Sequence, residues 1–295
     1  MIYDVSHRTT YRYSTPVAQS QHIVHMSPRA VERQRIKGHT LLIEPAPTIR
    51  TEREDYFGNR VVLFDIEQDH TELIVQARST IGVIAPRKVD RAAAPAWEEI
   101  VKRIADPRAG LDLDVARYAC ASKNTYPTPD IAAYAGPSFK PGRSVLEAAW
   151  DLVERIYDDF TFDPTATDVS TPVTQVLQQR RGVCQDFSHL ALACLRAMRI
   201  SARYVSGYIL TRPPPGVTRL TGADASHAWI SVWSPDFGWV DFDPTNGLMP
   251  RDEHITIAYG RDYDDVSPIS GILLGGSEHS VHVGVDVAPV GSKGG

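Results

Sequence analysis

The stretch from Cys184 to Met198 constrains the fold of this 295-residue chain more than any other. Its spacing predicts a helix whose apolar residues, Phe187, Leu190, Ala191, Cys194, Leu195 and Met198, cover most of its circumference. A helix that is apolar nearly all round has no face to offer water, so it belongs inside a core with other elements packed about it. The flanking sequence supplies those elements. Ser144 opens a long helical pattern in which Val145, Ala148, Ala149, Leu152, Ile156 and Phe160 recur at helical spacing, with Ser144 as N-cap and Glu147 completing a capping box. A shorter helix is predicted over roughly 172–179, where Pro172 follows Ser170 and Thr171, and Gly182 then breaks the chain. Beyond the central helix three strands are predicted, Ala202 to Leu210, Ala228 to Trp233 and Gly238 to Phe242, the last two joined as a hairpin through Ser234-Pro235-Asp236-Phe237-Gly238. The expectation for 144–256 is therefore a mixed α+β core.

Residues 1–88 read differently. Thr9 to Tyr13, Leu41 to Glu44, Arg60 to Phe64 and Leu73 to Ala77 are short, β-branched or aromatic runs separated by turn residues, which predicts an all-β domain. Between two of the runs stands Asp55-Tyr56-Phe57-Gly58-Asn59, where Gly and Asn supply the positive φ of a tight connection. Residues 89–143 predict a packed connector: helix fragments at 97–101 and 115–118, then a loop rich in proline (Pro127, Pro129, Pro137, Pro141). The C-terminal extension, 257–295, predicts loop plus a strand through Val281, Val283, Val285 and Val287, with Gly291 to Gly295 as a frayed tail.

Composition removes several function classes. Hydrophobic residues make up 42% of the chain, enough for a sizeable core, whereas the net charge of -5 leaves no excess of Lys and Arg to neutralise phosphates, so nucleic acid is not an expected partner. The first residues hold no apolar signal segment, and no run of about 18 apolar residues occurs, so the expectation is a soluble, unexported protein with no membrane partner. Three cysteines, Cys120, Cys184 and Cys194, form neither an even disulfide set nor a metal-ligand spacing, which suits a reducing cytoplasm.

The chemistry concentrates at Cys184. At the first turn of a buried helix, the partial positive charge and free N–H groups of the helix end favour thiolate over thiol, and the same N–H groups can hold an oxyanion. Gly182 permits a sharp turn and keeps the approach to the sulfur clear. The plainer alternative is that Cys184 is a small buried hydrophobe, as Cys194 and Cys120 are expected to be. Cys194 sits about 80° short of whole turns from Cys184 on the same helix. A thiol nucleophile needs a base. His189 lies about 140° round the helix and points elsewhere, which makes it structural, whereas His227 opens a strand after a polar loop, a position from which catalytic side chains project. His25, His39, His70 and His254 lie in polar stretches without an organised partner and are expected at the surface; His279 and His282, at a strand start, form at most a chance metal pair. A carboxylate should orient the base. In Trp239-Val240-Asp241-Phe242-Asp243 alternation puts both aspartates on one face, so periodicity leaves Asp241 and Asp243 equally open, and either may serve only as a turn-former before Pro244.

Taken together, Gly182-Val183-Cys184-Gln185-Asp186-Phe187-Ser188-His189, Tyr204-Val205-Ser206-Gly207-Tyr208, Ser226-His227-Ala228-Trp229 and Gly238-Trp239-Val240-Asp241-Phe242-Asp243-Pro244-Thr245-Asn246-Gly247 resemble, in order and spacing, the bacterial transglutaminase-like superfamily. The first 85 or so residues, with Asp55 to Asn59, resemble the N-terminal β-region of its bacterial members, and Gly260 to Val266 resembles their segment after the core. The resemblance implies a papain-like α+β core in which Cys184 opens the central helix, packed on an antiparallel sheet that carries His227 and Asp243. Asp243 matches the family aspartate because Pro244-Thr245 follows it; Asp241 does not match. One oxyanion donor would be the Cys184 N–H. Animal transglutaminases take a second from a tryptophan upstream of the cysteine, but here Trp150 falls inside a helix and that role is not carried over. Gln185 and Asp186 are expected to be structural. No acidic cluster resembles the calcium sites of the animal enzymes, so neither metal nor cofactor is expected.

The implied reaction is acyl transfer from a protein or peptide substrate through a Cys184 thioester. Hydrolysis, as by a cysteine peptidase or amidase, is the first expectation; transglutaminase-type transfer to an amine is the alternative. An arylamine-type acyltransferase uses the same Cys, His, Asp order, but the β-region and Asp-Pro-Thr-Asn disfavour it. A non-catalytic scaffold is the rival of another class, and the intact triad argues against it. Thr211 to Ala225, with Pro213-Pro214-Pro215-Gly216, is expected either to rim the cleft or to form an ordinary stiff loop.

Overall fold

The computed structural model describes residues 1–106, 113–211 and 226–291. It has a mixed α+β architecture: an N-terminal antiparallel β half-barrel, a core of helices on a sheet, and C-terminal strands. The half-barrel is organised by one element, β1 (Ile2–Val24), a 23-residue strand of which the sequence pattern exposes only the central Thr9 to Tyr13. The remainder is disguised by polar residues such as His7, Ser20 and His22 that are nonetheless buried. A register break between Arg12 and Val17 bends β1 so that its two halves serve different partners. Around it run β2 (Gln34–Glu44), β3 (Ile49–Glu54), β4 (Arg60–Ile66) and β5 (His70–Val83), in the order β2-β5-β1-β4-β3. The Asp55 to Asn59 turn joins β3 to β4 with Gly58 at φ 72°, and Asp55 Oδ1 accepts from the N–H groups of Phe57 and Asn59, both at 2.8 Å.

The connector contributes α1 (Trp97–Ala105), α2 (Leu113–Ala116) and α3 (Pro129–Ala135). The last replaces part of the expected proline-rich loop: Thr128 caps it by accepting from the Ile131 N–H at 3.4 Å, and Pro129 sits where a helix tolerates proline, in the first turn. Next come α4 (Val145–Asp159), capped by Ser144 as expected, β6 (Thr161–Phe162), α5 (Val173–Gln179) and β7 (Arg181–Gly182). The short strands β6 and β7 pair in parallel. The central helix is α6 (Cys184–Ala197), and every residue from Asp186 to Arg196 is buried. It packs on a four-stranded antiparallel sheet of order β10-β9-β8-β11, made of β8 (Ala202–Ile209), β9 (Ser226–Ser234), β10 (Gly238–Phe242) and β11 (His254–Gly260). Ala228, Ile230 and Val232 of β9 join the same apolar cluster as Leu190, Ala191 and Leu195 of α6, while Val205, Trp229 and Tyr259 cluster on the opposite face. The fourth strand, β11, runs across position 256, where the core was expected to end.

The chain then returns to the half-barrel. β12 (Ile269–Gly275) pairs with the second half of β1, and β13 (His279–Pro289) with the first, from Tyr3 opposite Pro289 to Tyr13 opposite His279. Of the alternating valines, Val285 and Val287 are buried against the core cluster, whereas Val281 and Val283 stay 48% exposed, because only one end of the half-barrel meets the core. Polar contacts fasten that joint. Gln34 hydrogen-bonds both backbone groups of Thr256, accepting at 2.9 Å and donating at 2.7 Å; Tyr208 shares a 2.8 Å hydrogen bond with His7; Arg33 pairs with Asp241. Among the described residues no helix is long and apolar enough to cross a membrane. Of the expected frayed tail, residues 292–295 lie outside the described residues.

Candidate active site

Cys184 is the first residue of α6 and partly exposed, with Asp186 to Arg196 buried behind it. The helix end is held by Asp186, whose Oδ2 accepts from the Val183 N–H at 2.8 Å and the Thr167 hydroxyl at 2.6 Å. Burial raises the Asp186 pKa, with those two donors opposing the rise. Asp186 also explains Gly182 differently from expectation: a Cβ at residue 182 would lie 2.6 Å from the Asp186 carboxylate. The glycine makes room for the cap rather than clearing the path to the sulfur.

His227, at the start of β9 and 8% exposed, lies between Cys184 and Asp243. Its Nε2 donates to Asp243 Oδ2 at 2.7 Å, and its side chain also interacts with that of Cys184, which together with Asp243 favours the protonated ring. Burial alone would depress its pKa, but the Asp243 hydrogen bond and charge, with Cys184, outweigh it and push the value up to about 10. Asp243 is wholly buried, one residue past β10, its backbone paired in both directions with Leu248. Burial works against its ionisation, yet His227 and His254 hold it well below the usual carboxylate range. Its Oδ1 accepts from the N–H groups of Thr245 (2.9 Å) and Asn246 (3.2 Å); its Oδ2 accepts from His227, from Asn246 Nδ2 at 2.7 Å and from His254 Nε2 at 3.1 Å. Asp241, which periodicity left level with Asp243, instead pairs with Arg33 of the half-barrel.

The other sequence candidates separate as follows. His189 is structural: it is 4% exposed, its Nε2 accepts from the Tyr263 N–H at 3.1 Å, and burial holds its pKa down at about 4. Cys194 is wholly buried, and burial pushes its thiol up to about 12, while Cys120 is exposed. The surface expectation is overturned for His70 and His254, while His25 and His39 are half-buried. His254 is 3% exposed and bound to Asp243, and His70 is 8% exposed with Nδ1 2.9 Å from the Gln68 carbonyl. His39 lies between Ser27 (3.2 Å) and Ser79 (2.9 Å), and His25 Nε2 is 3.4 Å from Asp55. Except for Gln68 beside His70, these partners lie well away in sequence from the polar stretches that suggested exposure. His279 and His282, three apart on β13, project to opposite faces and share no site. Trp150 packs on Phe242 and under Arg91.

Sequence reasoning missed His254 and Asn246; the signal for the first was the alternating run His254-Ile255-Thr256-Ile257, which marks a strand. His227, Asp243 and His254 bring ligand-type atoms within 4.8 Å of one another, at separations of 2.7 and 3.1 Å that fit hydrogen bonds from both imidazoles to the Asp243 carboxylate. The expected rim falls mostly at 212–225, outside the described residues.

Comparison with known proteins agrees with this layout. Residues 3–82 match the bacterial transglutaminase-like N-terminal region, and residues 133–244, which contain Cys184, His227 and Asp243, match the transglutaminase-like superfamily. An uncharacterized protein of Mycobacterium tuberculosis is 43% identical over 97% of this chain and 92% of its own length, and one of Mycobacterium leprae 32% identical over 96% and 97%. A protein-glutamine gamma-glutamyltransferase of Pseudomonas aeruginosa is 31% identical over 34% of this chain and 16% of its own. The crystal structure of a "Putative Cysteine Protease" from Cytophaga hutchinsonii superposes with a TM-score of 0.76 at 21% identity, covering 100% of this chain and 92% of that one, a likeness of fold.

Proposed function

The chain belongs to the transglutaminase-like superfamily, and from that membership we propose that it is a thiol enzyme that cleaves a peptide or carboxamide bond by acyl transfer to Cys184. The reading is carried by one observation, the hydrogen-bonded line from Cys184 through His227 to a buried Asp243. With its proton retained to about pH 10, His227 stands beside the sulfur as an imidazolium, and the thiolate attacks the carbonyl carbon. The new S–C bond leaves an oxyanion for the N–H at the tip of α6. As the C–N bond breaks, His227 gives its proton to the departing amine and a thioester remains. Water, surrendering a proton to His227, then attacks the thioester and releases the acid. All three cysteines stand free, which fits work in a reducing compartment.

Transfer to a primary amine in place of water is the second reading, favoured by the partial likeness to the gamma-glutamyltransferase. Intact-mass spectrometry after mixing with 4-nitrophenyl acetate tests the shared step: an acetyl adduct on the wild type and none on Cys184→Ala is expected, and an adduct retained by the variant overturns the assignment. Adding a primary amine then separates the two readings by whether acetate or the acetylated amine accumulates.

A further inference from the structure

The Asp243 carboxylate serves two imidazoles. We propose that His254 is a positioning residue of this site: its Nε2–H binds the same Asp243 oxygen as His227 and tempers the hold of that oxygen on the His227 proton. This rests on the thiol-enzyme reading above and extends it to a fourth side chain.

A carboxylate only accepts hydrogen bonds, so the 2.7 Å and 3.1 Å contacts place a proton on Nε2 of both rings. The other nitrogen of His254, Nδ1, is buried and meets no partner among the described residues. A histidine retained for packing alone would leave that lone pair at a cost an apolar side chain avoids; the ring is explained by the one bond it makes. Its seat is fixed. The Trp229 ring stands edge-on at 5.2 Å and the His227 ring at 5.9 Å; β11 is paired with β8 at Ile209, and two residues on Gln34 holds both backbone groups of Thr256. The half-barrel thus reaches the active site through β11.

The titratable groups facing Asp243 are His227 and His254, and those facing His227 are Asp243 and Cys184; Asp241, the other aspartate of this strand region, is neutralised by Arg33. Three donors share Oδ2, so each draws off part of the charge that would otherwise hold the His227 proton. That proton must leave once in the cycle, to the departing amine, and its departure is what leaves His227 neutral as the base that takes a proton from water. A ring that binds it too tightly forms the ion pair well and turns over poorly.

The test uses the full-length protein with two probes, iodoacetamide to follow the pH at which Cys184 becomes reactive and 4-nitrophenyl acetate to follow decay of the acyl-enzyme. In His254→Phe, which fills the slot but cannot donate, the alkaline inflection of alkylation, where His227 gives up its proton, should move up by about half to one pH unit while deacylation slows about three- to tenfold, the worth of one such hydrogen bond. His254→Gln, whose amide can donate from the Nε2 position, should return both values to within about threefold of wild type. His254→Asn, too short to reach Asp243, should behave as the Phe variant does and replaces it if that variant does not fold. An unmoved alkaline inflection with unchanged deacylation, or slowing of both alkylation and deacylation, overturns the proposal and leaves the triad standing. A wild type whose Cys184 shows no acid-side limb removes the triad reading, and this proposal with it.

Discussion

Asn59 hydrogen-bonds both backbone groups of Tyr259, its Nδ2 donating to the carbonyl and its Oδ1 accepting from the N–H, each at 2.8 Å. A side-chain amide here continues the edge of β11 as a further strand would, and joins the β3–β4 turn of the half-barrel to the sheet that carries the candidate site. Asn59 is 1% exposed and is held in turn by Asp55 and Arg29.

Asn59→Ala removes both bonds at once and leaves two buried backbone groups unmet. At about 1–3 kcal/mol for each orphaned group, a loss of roughly 2–5 kcal/mol in urea unfolding is expected. A loss under about 1 kcal/mol would show that the two domains do not depend on this clasp.

Asp241 and Asp243 should part company under the same substitution. Asp243→Asn removes the charge that holds the His227 proton to about pH 10, so alkylation of Cys184 by iodoacetamide at pH 5 should fall by an order of magnitude or more. Asp241→Asn weakens a largely buried pair with Arg33, costs stability by about 1–3 kcal/mol, and should leave alkylation unchanged. Equal effects from the two variants would contradict the geometry.

This pair shows where sequence is legible and where it stops. Strand alternation narrowed the choice to two residues on one face, and only the partners separate them: Arg33, two hundred residues upstream, claims one, and His227 claims the other. The central helix, the Ser144 cap and the β9–β10 hairpin are local patterns, written in spacing and turn residues, and could be read directly. The ends of β1 could not, because His7 and Ser20 are polar residues buried where β1 pairs with the C-terminal strands. His254 was misread for the same reason: its partner, Asp243, stands at the end of another strand, away from the polar Arg251-Asp252-Glu253 beside it. Long-range pairing of polar groups leaves no period in the sequence to detect.

Gly182→Ala should act through Asp186. The added methyl would sit 2.6 Å from the carboxylate that caps α6, so the cap must shift or the strand must move. Thermal unfolding should show a loss of about 1–3 kcal/mol, with slower alkylation of Cys184 because the helix tip is displaced. Unchanged alkylation alongside lost stability would mean that the cap holds the helix without setting the thiol.

Stability should peak close to pH 6.5, with histidines setting both sides. Burial holds His7, His22 and His189 at about 4, below the 6.5 of an unfolded chain. Between those values the unfolded state binds more protons, so stability is complete above 6.5 and is lost as pH falls toward 4. His227 has the opposite sign: raised from 6.5 to about 10, its contribution is complete below 6.5 and is lost as pH climbs through that window. Urea midpoints at pH 4.5, 6.5 and 9 should therefore be highest in the middle. His22 offers the cleanest check, because its ring stacks on Phe64 at 4.8 Å and neither nitrogen has a partner among the described residues. His22→Phe should keep the stacking and flatten the acid side by about one proton, leaving the alkaline side as it was; an acid side as steep as in the wild type would show that His22 takes up no proton on unfolding.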